Sequence, residues 1–331
     1  MRRLLALGLL FVVLGGLGAV WHWLHWQRFV ETPINPASRM TLWVEPGDGF
    51  RDLIGQLETL GLARNDWRWR LYGRLYAPNL KQGEFRLEPD LTLDGLVAAL
   101  EAGDVLEHRF TIVEGWTLEQ LREALARDPR LRHESQALSD AALMNRFGCE
   151  NCPAEGRFLP ETYFFLRATS DLDLLERAYE AMASALAEAW AQRAEDLPID
   201  SPDDLLILAS LIERETGAAF ERPEVAGVFK RRLQRGMRLQ TDPTVVYGLD
   251  DSFDGRIRRV HLRTDHPWNT YTRHGLPATA IALPGRASLL AAARPAAGTS
   301  LYFVSRGDGT HQFSDTLREH NAAVDRYIRG R

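Results

Sequence analysis

The chain is poor in cysteine and in the short motifs that announce common chemistries. Two cysteines occur in 331 residues, at Cys149 and Cys152. That excludes a disulfide-framework fold. A zinc site would need two more ligands at fitting spacing, and none lies near the pair. A redox role needs a thioredoxin-like βαβ context, which the surrounding pattern lacks. A local disulfide closing the Cys-Glu-Asn-Cys loop in an oxidising compartment is the reading that remains. Gly-x-Ser-x-Gly is absent, which argues against an α/β serine hydrolase. His-Glu-x-x-His and Gly-x-x-x-x-Gly-Lys are absent too, against a zinc peptidase and a nucleotide loop. The histidines at 261, 266, 274, 311 and 320 do not pair at helical ligand spacing. Formal net charge is only -5, so nothing calls for nucleic acid.

Charge is also missing from the N-terminus, except at Arg2 and Arg3. Leu4 to Val20 is wholly apolar or glycine, and Trp21 to Trp26 extends it with aromatic and histidine residues. That run is long enough to span a bilayer. The arginines belong on the cytoplasmic side, and Trp21, Trp23 and Trp26 suit the opposite interface. Gly15 to Ala19 offers the small residues of a cleaved signal peptide, but the length of the run and its aromatic end favour an uncleaved anchor. The expected organisation is a cytoplasmic tail (1–3), a transmembrane anchor (4–26), a linker with Pro33 and Pro36 (27–39), a small module (40–104) and a larger domain (105–331). Everything after the anchor should lie outside the cytoplasm.

In the small module, Thr41–Val44 and Gly83–Leu87 read as strands. Helical spacings around Leu53, Ile54 and Leu57, and around Trp69 and Tyr72, fall between them. A further helix over Leu91–Leu100 stops near Gly103. Phe110 to Leu121 repeats the strand, turn and helix order of residues 41 to 57. Farther on, Ser139–Phe147 and Leu172–Ala194 read as helices and Arg256–Leu262 as a strand or hairpin arm. Leu301–Ser314 reads as a hairpin around Gly307-Asp308-Gly309, and Thr316–Ile328 as a closing helix. The fold class is α+β.

The most informative stretch is Leu205 to Gly248. Asp203 and Asp204 precede an apolar-periodic run and Gly217 follows it, so Leu205–Thr216 reads as a helix. Leu208, Leu211, Ile212 and Glu215 share one face at i, i+3, i+4, i+7 spacing. Glu213 points elsewhere and can reach solvent. A carboxyl on an apolar face loses hydration, and its pKa should rise. Such a group can serve as a general acid. The bland alternative is a half-buried glutamate paired with one of Arg222, Arg231, Arg232 or Arg235. Pro223 opens a second helix that ends at Gly236. Asp242-Pro243 reads as the start of a third, after the polar run Gln240-Thr241.

Glu213-Arg214-Glu215-Thr216, Glu221-Arg222 and Gly236-Met237-Arg238-Leu239-Gln240-Thr241-Asp242-Pro243-Thr244 closely resemble the signature of the MltG (YceG-like) endolytic murein transglycosylases. Glu155-Gly156-Arg157-Phe158-Leu159-Pro160-Glu161-Thr162-Tyr163 resembles that family's E-G-x-x-x-P-D-T-Y segment, with Glu161 in place of the aspartate. Trp268-Asn269-Thr270-Tyr271, Gly275-Leu276-Pro277 and Ile281–Gly285 match as well. The resemblance implies a LysM-like β-α-α-β module before a mixed α+β catalytic domain, and an inner-membrane protein with one span and a periplasmic active site. Its substrate would be the glycan strands of peptidoglycan, with a link to peptidoglycan synthases and no cofactor or metal. The catalytic residue would be Glu215, the second glutamate of the E-x-E-T run. Glu221, Gln240, Thr241, Asp242, Asn269 and Tyr271 fall on the cleft by motif match and would bind sugar. The reaction implied uses one carboxyl and closes a 1,6-anhydro ring on MurNAc. A hydrolytic muramidase with Glu221 or Asp242 as second carboxylate and a non-catalytic peptidoglycan-binding scaffold are the rivals.

Overall fold

The computed structural model describes residues 2–34, 40–63, 67–76, 78–249 and 253–330. It divides into two compact units. One is Met1–His108 with Phe165–Arg167, and the other is Arg109–Phe164 with Ala168–Arg331.

The first unit opens with α1 (Arg2–Glu31). The part from Leu7 onward is long and apolar enough to cross a membrane, and Leu7 to Leu24 stands exposed, Phe11 at 72%. The end of this helix departs from the expected linker. Residues 27–31 are helical, and Val30 is buried in the core of the unit with Trp26 and Phe29 packed against it. Trp26 stacks near Tyr72 at 6.4 Å and Phe29 meets Trp69 edge-on at 5.5 Å. Trp26 is therefore a packing residue, whereas Trp21 and Trp23 remain exposed. Pro33 bridges to Thr92. Pro36 and the rest of 35–39 lie outside the described residues.

The expected β-α-α-β order follows as β1 (Met40–Val44), α2 (Phe50–Thr59), α3 (Trp67–Tyr76) and β2 (Gly83–Leu87), then α4 (Leu93–Ala102). β1 and β2 pair antiparallel, Met40 opposite Leu87 and Val44 opposite Gly83. Alternate residues Leu42, Val44, Phe85 and Leu87 face inward, each 1% exposed, as strand periodicity requires. Thr92 caps α4, and Gly103 stops it in the left-handed conformation, φ 75°.

The second unit is mostly helical. β3 (Glu107–Thr111) pairs with β4 (Thr162–Leu166), two strands whose residues 107–108 and 165–166 are counted with the first unit. Between them lie α5 (Leu118–Ala126) and α6 (Asp140–Arg146), and the Cys149–Cys152 disulfide closes the loop that follows α6. α7 (Asp171–Ala191), α8 (Pro202–Glu215), α9 (Arg222–Gln234), α10 (Asp242–Leu249) and α11 (Arg286–Ala293) come next. The hairpin β5 (Tyr302–Ser305) and β6 (His311–Ser314) and the closing α12 (Leu317–Tyr327) complete it. The strand expected over Arg256–Leu262 is absent. The segment turns into a short 3₁₀ helix at His261–Arg263, where Arg258 N–H donates to His261 Nδ1 at 3.2 Å. α8 is the central element. Leu205, Leu208, Leu211 and Ile212 are wholly buried against α7, α9 and α11. Each such side chain contributes about 1.5–3 kcal/mol by leaving water.

Candidate active site

α8 starts earlier than the acidic pair suggests. Ser201 is the N-cap. Its hydroxyl accepts from Asp204 N–H, Asp204 returns the bond to Ser201 N–H, and Pro202 sits at the first helical position. The helix ends at Glu215, and Thr216 is extended. Gly217 is thus not the stop. The chain leaves the helix through Thr216, and Glu215 is delivered at the helix end, where no further turn covers its carboxyl.

Of the two glutamates of the run, Glu213 departs from the role its spacing suggests. Glu213 does not reach solvent, and its side chain is 4% exposed. It accepts from Arg222 Nη2 at 3.1 Å and from Gly285 N–H at 2.9 Å. The arginine-paired structural glutamate is this one. Glu215 is half-buried and has no arginine ion pair among the described residues. Its Oε1 accepts from the Thr241 hydroxyl. Burial pushes its carboxyl up to about 7. The Thr241 hydrogen bond opposes that shift, the Asp242 charge adds to it, and Arg232 pulls the other way, as His311 does when its ring is protonated. A carboxyl at that value is substantially protonated near neutral pH.

Glu215 opens onto a cavity of about 440 Å³. Gln240, Asp242 and Tyr271 line it as the motif match implies, together with Arg232, the hairpin residues Tyr302–Ser305, His311 and His320. Thr241 is buried behind them. It takes its position from Thr270, whose hydroxyl accepts Thr241 N–H at 3.1 Å and exchanges a 2.9 Å hydrogen bond with Thr244. Gln240 is held left-handed at φ 51°, which turns the chain between Leu239 and Thr241. Tyr271 donates to Asp242 Oδ1 at 2.5 Å. Burial and that carboxylate keep its hydroxyl protonated far above the ordinary tyrosine range.

Glu221 and Asn269 are not on the cavity wall. Asn269 is fully buried. Its amide donates to the His261 and Thr264 carbonyls at 3.1 and 2.7 Å and accepts from Tyr271 N–H at 2.8 Å. It fixes the loop that presents Tyr271. Glu221 is 6% exposed and accepts from His311 twice. Glu161, the departure from the family segment, accepts from Arg286 Nε on the surface at 3.0 Å.

The sequence reading missed Arg232 as a site residue, and with it His311, His320 and Tyr302. Arg232 is 8% exposed. Its Nε and Nη1 donate to the carbonyls of Leu301 and Leu239 at 2.6 and 2.7 Å, and its guanidinium lies 5.1 Å from the Tyr302 ring centre. Three of these residues come from the hairpin and α12, whose patterns read as ordinary secondary structure. Among the described residues, no group of three His, Cys, Asp or Glu side chains is arranged to hold a metal ion.

Known proteins resemble this chain over most of its length. The model of the YceG-like family matches residues 42–326. An endolytic murein transglycosylase of Bacillus subtilis is 30% identical over 269 residues, covering 76% of this chain and 74% of that protein. One of Streptococcus pneumoniae is 23% identical over 334 residues, and there the alignment spans 60% of the longer relative. The crystal structure of a yceG-like protein from Listeria monocytogenes superposes with a TM-score of 0.56 at 28% identity, covering 86% of this chain and 99% of that one. By its family match over most of its length, and by the relative that is 30% identical to it over 269 residues, this chain belongs to the YceG-like family.

Proposed function

We propose that the chain is a membrane-anchored endolytic peptidoglycan transglycosylase with Glu215 as its single catalytic carboxyl. The observation that carries this reading is a carboxyl raised to about 7 at the end of a buried helix, facing a polar cavity with one hydroxyl donor on it. Protonated Glu215 gives its proton to the oxygen between MurNAc C1 and GlcNAc as that bond breaks, and the GlcNAc end leaves as an alcohol. The carboxylate then takes the proton of the MurNAc C6 hydroxyl while that oxygen bonds to C1, which closes the 1,6-anhydro ring. Glu215 ends protonated, and no water is consumed. One group acts first as acid and then as base, so a value near the working pH suits both steps.

Gln240, Asp242 and Tyr271 bind sugar hydroxyls or amides in this reading. Thr241 steadies Glu215, and Asn269 acts through Tyr271. The exposed apolar length of α1 supports a single span, with the chain that follows it on the far side from Arg2 and Arg3. The paired strands and two helices of the first unit support a LysM-like glycan-holding role. Cleavage within nascent strands would then occur close to the membrane and limit their length, near the synthases that the family resemblance implies as partners.

The test is mass spectrometry of products from uncrosslinked glycan strands, using the full-length chain in detergent with Glu215→Gln as control. Anhydro-ended products that vanish in the variant are expected. Reducing ends would replace the reading with a hydrolase, with Asp242 as the carboxylate already on the cavity wall. Retained glycan binding without cleavage by either protein would replace it with a scaffold.

A further inference from the structure

His311 opens β6 and lines the cavity that holds Glu215. Its ring is gripped from behind. Glu221, in the short 3₁₀ turn between α8 and α9, accepts His311 backbone N–H on Oε1 at 2.9 Å and meets ring Nδ1 with Oε2 at 2.8 Å. The Thr216 hydroxyl adds a longer contact to the same Oε2, 3.4 Å. Both side chains are nearly buried, 12% exposed for His311 and 7% for Glu221. Phe303 packs edge-on to the imidazole at 5.4 Å. A carboxylate can only accept, so the shared hydrogen bond puts a proton on Nδ1. In the neutral ring that leaves Nε2 with a bare lone pair, and no hydrogen bond to Nε2 occurs among the described residues.

We infer that His311 is a glycan-contacting residue whose Nε2 accepts a hydrogen bond from a sugar hydroxyl or acetamido N–H in the Glu215 cavity, and that Glu221 is the positioning residue that fixes its tautomer. This rests on the transglycosylase reading above. It gives the second family glutamate a role behind the wall rather than on it. It also adds an acceptor to the cavity lining.

Glu221→Gln tests the tautomer directly. The amide oxygen can still accept His311 backbone N–H, while the amide nitrogen must donate to Nδ1 and drives the ring proton to Nε2. The cavity acceptor becomes a donor with the fold intact. In the ¹⁵N-histidine-labelled full-length chain in detergent, with the His311 signals assigned by their loss in His311→Ala, the ring should be protonated at Nδ1 in the wild type and at Nε2 in Glu221→Gln. Losing one substrate hydrogen bond should lower kcat/KM about 3- to 10-fold in either single variant. If Glu221 acts only through His311, the double variant should be no worse than His311→Ala alone. A merely structural pin would lower thermal stability but leave kcat/KM unchanged. Wild-type kcat/KM in Glu221→Gln, additive losses in the double variant, or an Nε2-protonated ring in the wild type would each overturn the inference. The remaining anhydro-ended products report separately on the chemistry. If the wild type makes none, the transglycosylase reading fails while the tautomer measurement still stands.

Discussion

Glu155 and Glu215 carry carboxyls that burial pushes up to the same value, about 7. Glu155 also borders the larger cavity, about 650 Å³ against about 440 Å³. Their hydrogen bonds differ. Glu155 accepts Leu118 N–H on both oxygens at 3.1 Å, Gly156 N–H at 3.2 Å and the Tyr247 hydroxyl at 3.1 Å. It ties the start of α5 to the segment before β4 and to α10. Glu215 accepts from Thr241 and otherwise faces open space. A perturbed pKa and a large cavity are shared by both, so neither property alone marks the chemistry. What separates them is a lone pair or proton left free to face the cavity, which the proposed chemistry requires and Glu215 keeps.

The largest expected effect separates the two residues directly. Glu215→Gln should cost about 10²–10⁴-fold in kcat, the usual worth of a general acid–base group, with an unchanged melting temperature or a slight rise. Glu155→Gln should keep the anhydro-ended products and kcat. It should lose about 1–3 kcal/mol of stability, because an amide cannot accept from two N–H groups and a hydroxyl as a carboxyl does. Product analysis and thermal unfolding of both variants check this. A dead but stable Glu155→Gln would reverse the assignment.

The next effect is on pH. In the proposed reaction Glu215 starts protonated, so kcat/KM should be high below about 7 and fall as pH rises through it. The Thr241 hydrogen bond lowers that value and the Asp242 charge raises it. Thr241→Val should therefore move the alkaline limb to higher pH, and Asp242→Asn should move it to lower pH. A shift of both in the same direction would remove Glu215 as the titrating group.

Stability follows the same two carboxyls. Each is raised from 4.5 unfolded to about 7 folded, so between those values the native state binds more protons than the unfolded chain. Their combined effect is that stability falls as pH rises from about 4.5 to about 7, then levels. Glu155→Gln removes one of the two, so its deficit against the wild type should shrink between pH 5 and pH 8. Melting temperatures at those two pH values measure it.

What was legible in the sequence was what is local. The 3.6-residue period located α8, the Pro223 and Gly236 signals bounded α9, and Asp242-Pro243 marked the start of α10. The same period put Glu215 on the face with Leu208 and Ile212. It misjudged Glu213, because the partners that bury that side chain are not periodic. One is Arg222, nine residues on, and the other is the backbone of Gly285, 72 residues away. His311 was invisible for the same reason, since its partner Glu221 lies 90 residues earlier. Asn269 was recognised by motif, but its engagement by the 261 and 264 carbonyls depends on a turn where a strand had been expected. The linker erred because helical continuation to Glu31 is decided by Trp26, Phe29 and Val30 packing on the first unit, which no pattern within residues 27–39 reveals.

The smallest predicted effect tests the backbone beneath the comparison. Gln240 is one of four non-glycine residues with positive φ among those described, and it sits where the chain turns Thr241 toward Glu215. Glu155 is held by two backbone N–H groups and a tyrosine, and the left-handed turn beside it falls on Gly156, φ 85°, where glycine adopts it readily. Left-handed backbone at an ordinary residue costs on the order of 1 kcal/mol, and asparagine tolerates it better than glutamine while keeping an amide. Gln240→Asn should therefore raise stability by up to about 1 kcal/mol, visible as a small rise in melting temperature. The shorter side chain retreats from the cavity wall, so KM should rise a few-fold while kcat and the alkaline limb stay in place. A shifted limb would mean that the turn at Gln240 sets the Thr241–Glu215 hydrogen bond itself, and that strain at this position is part of what tunes the acid.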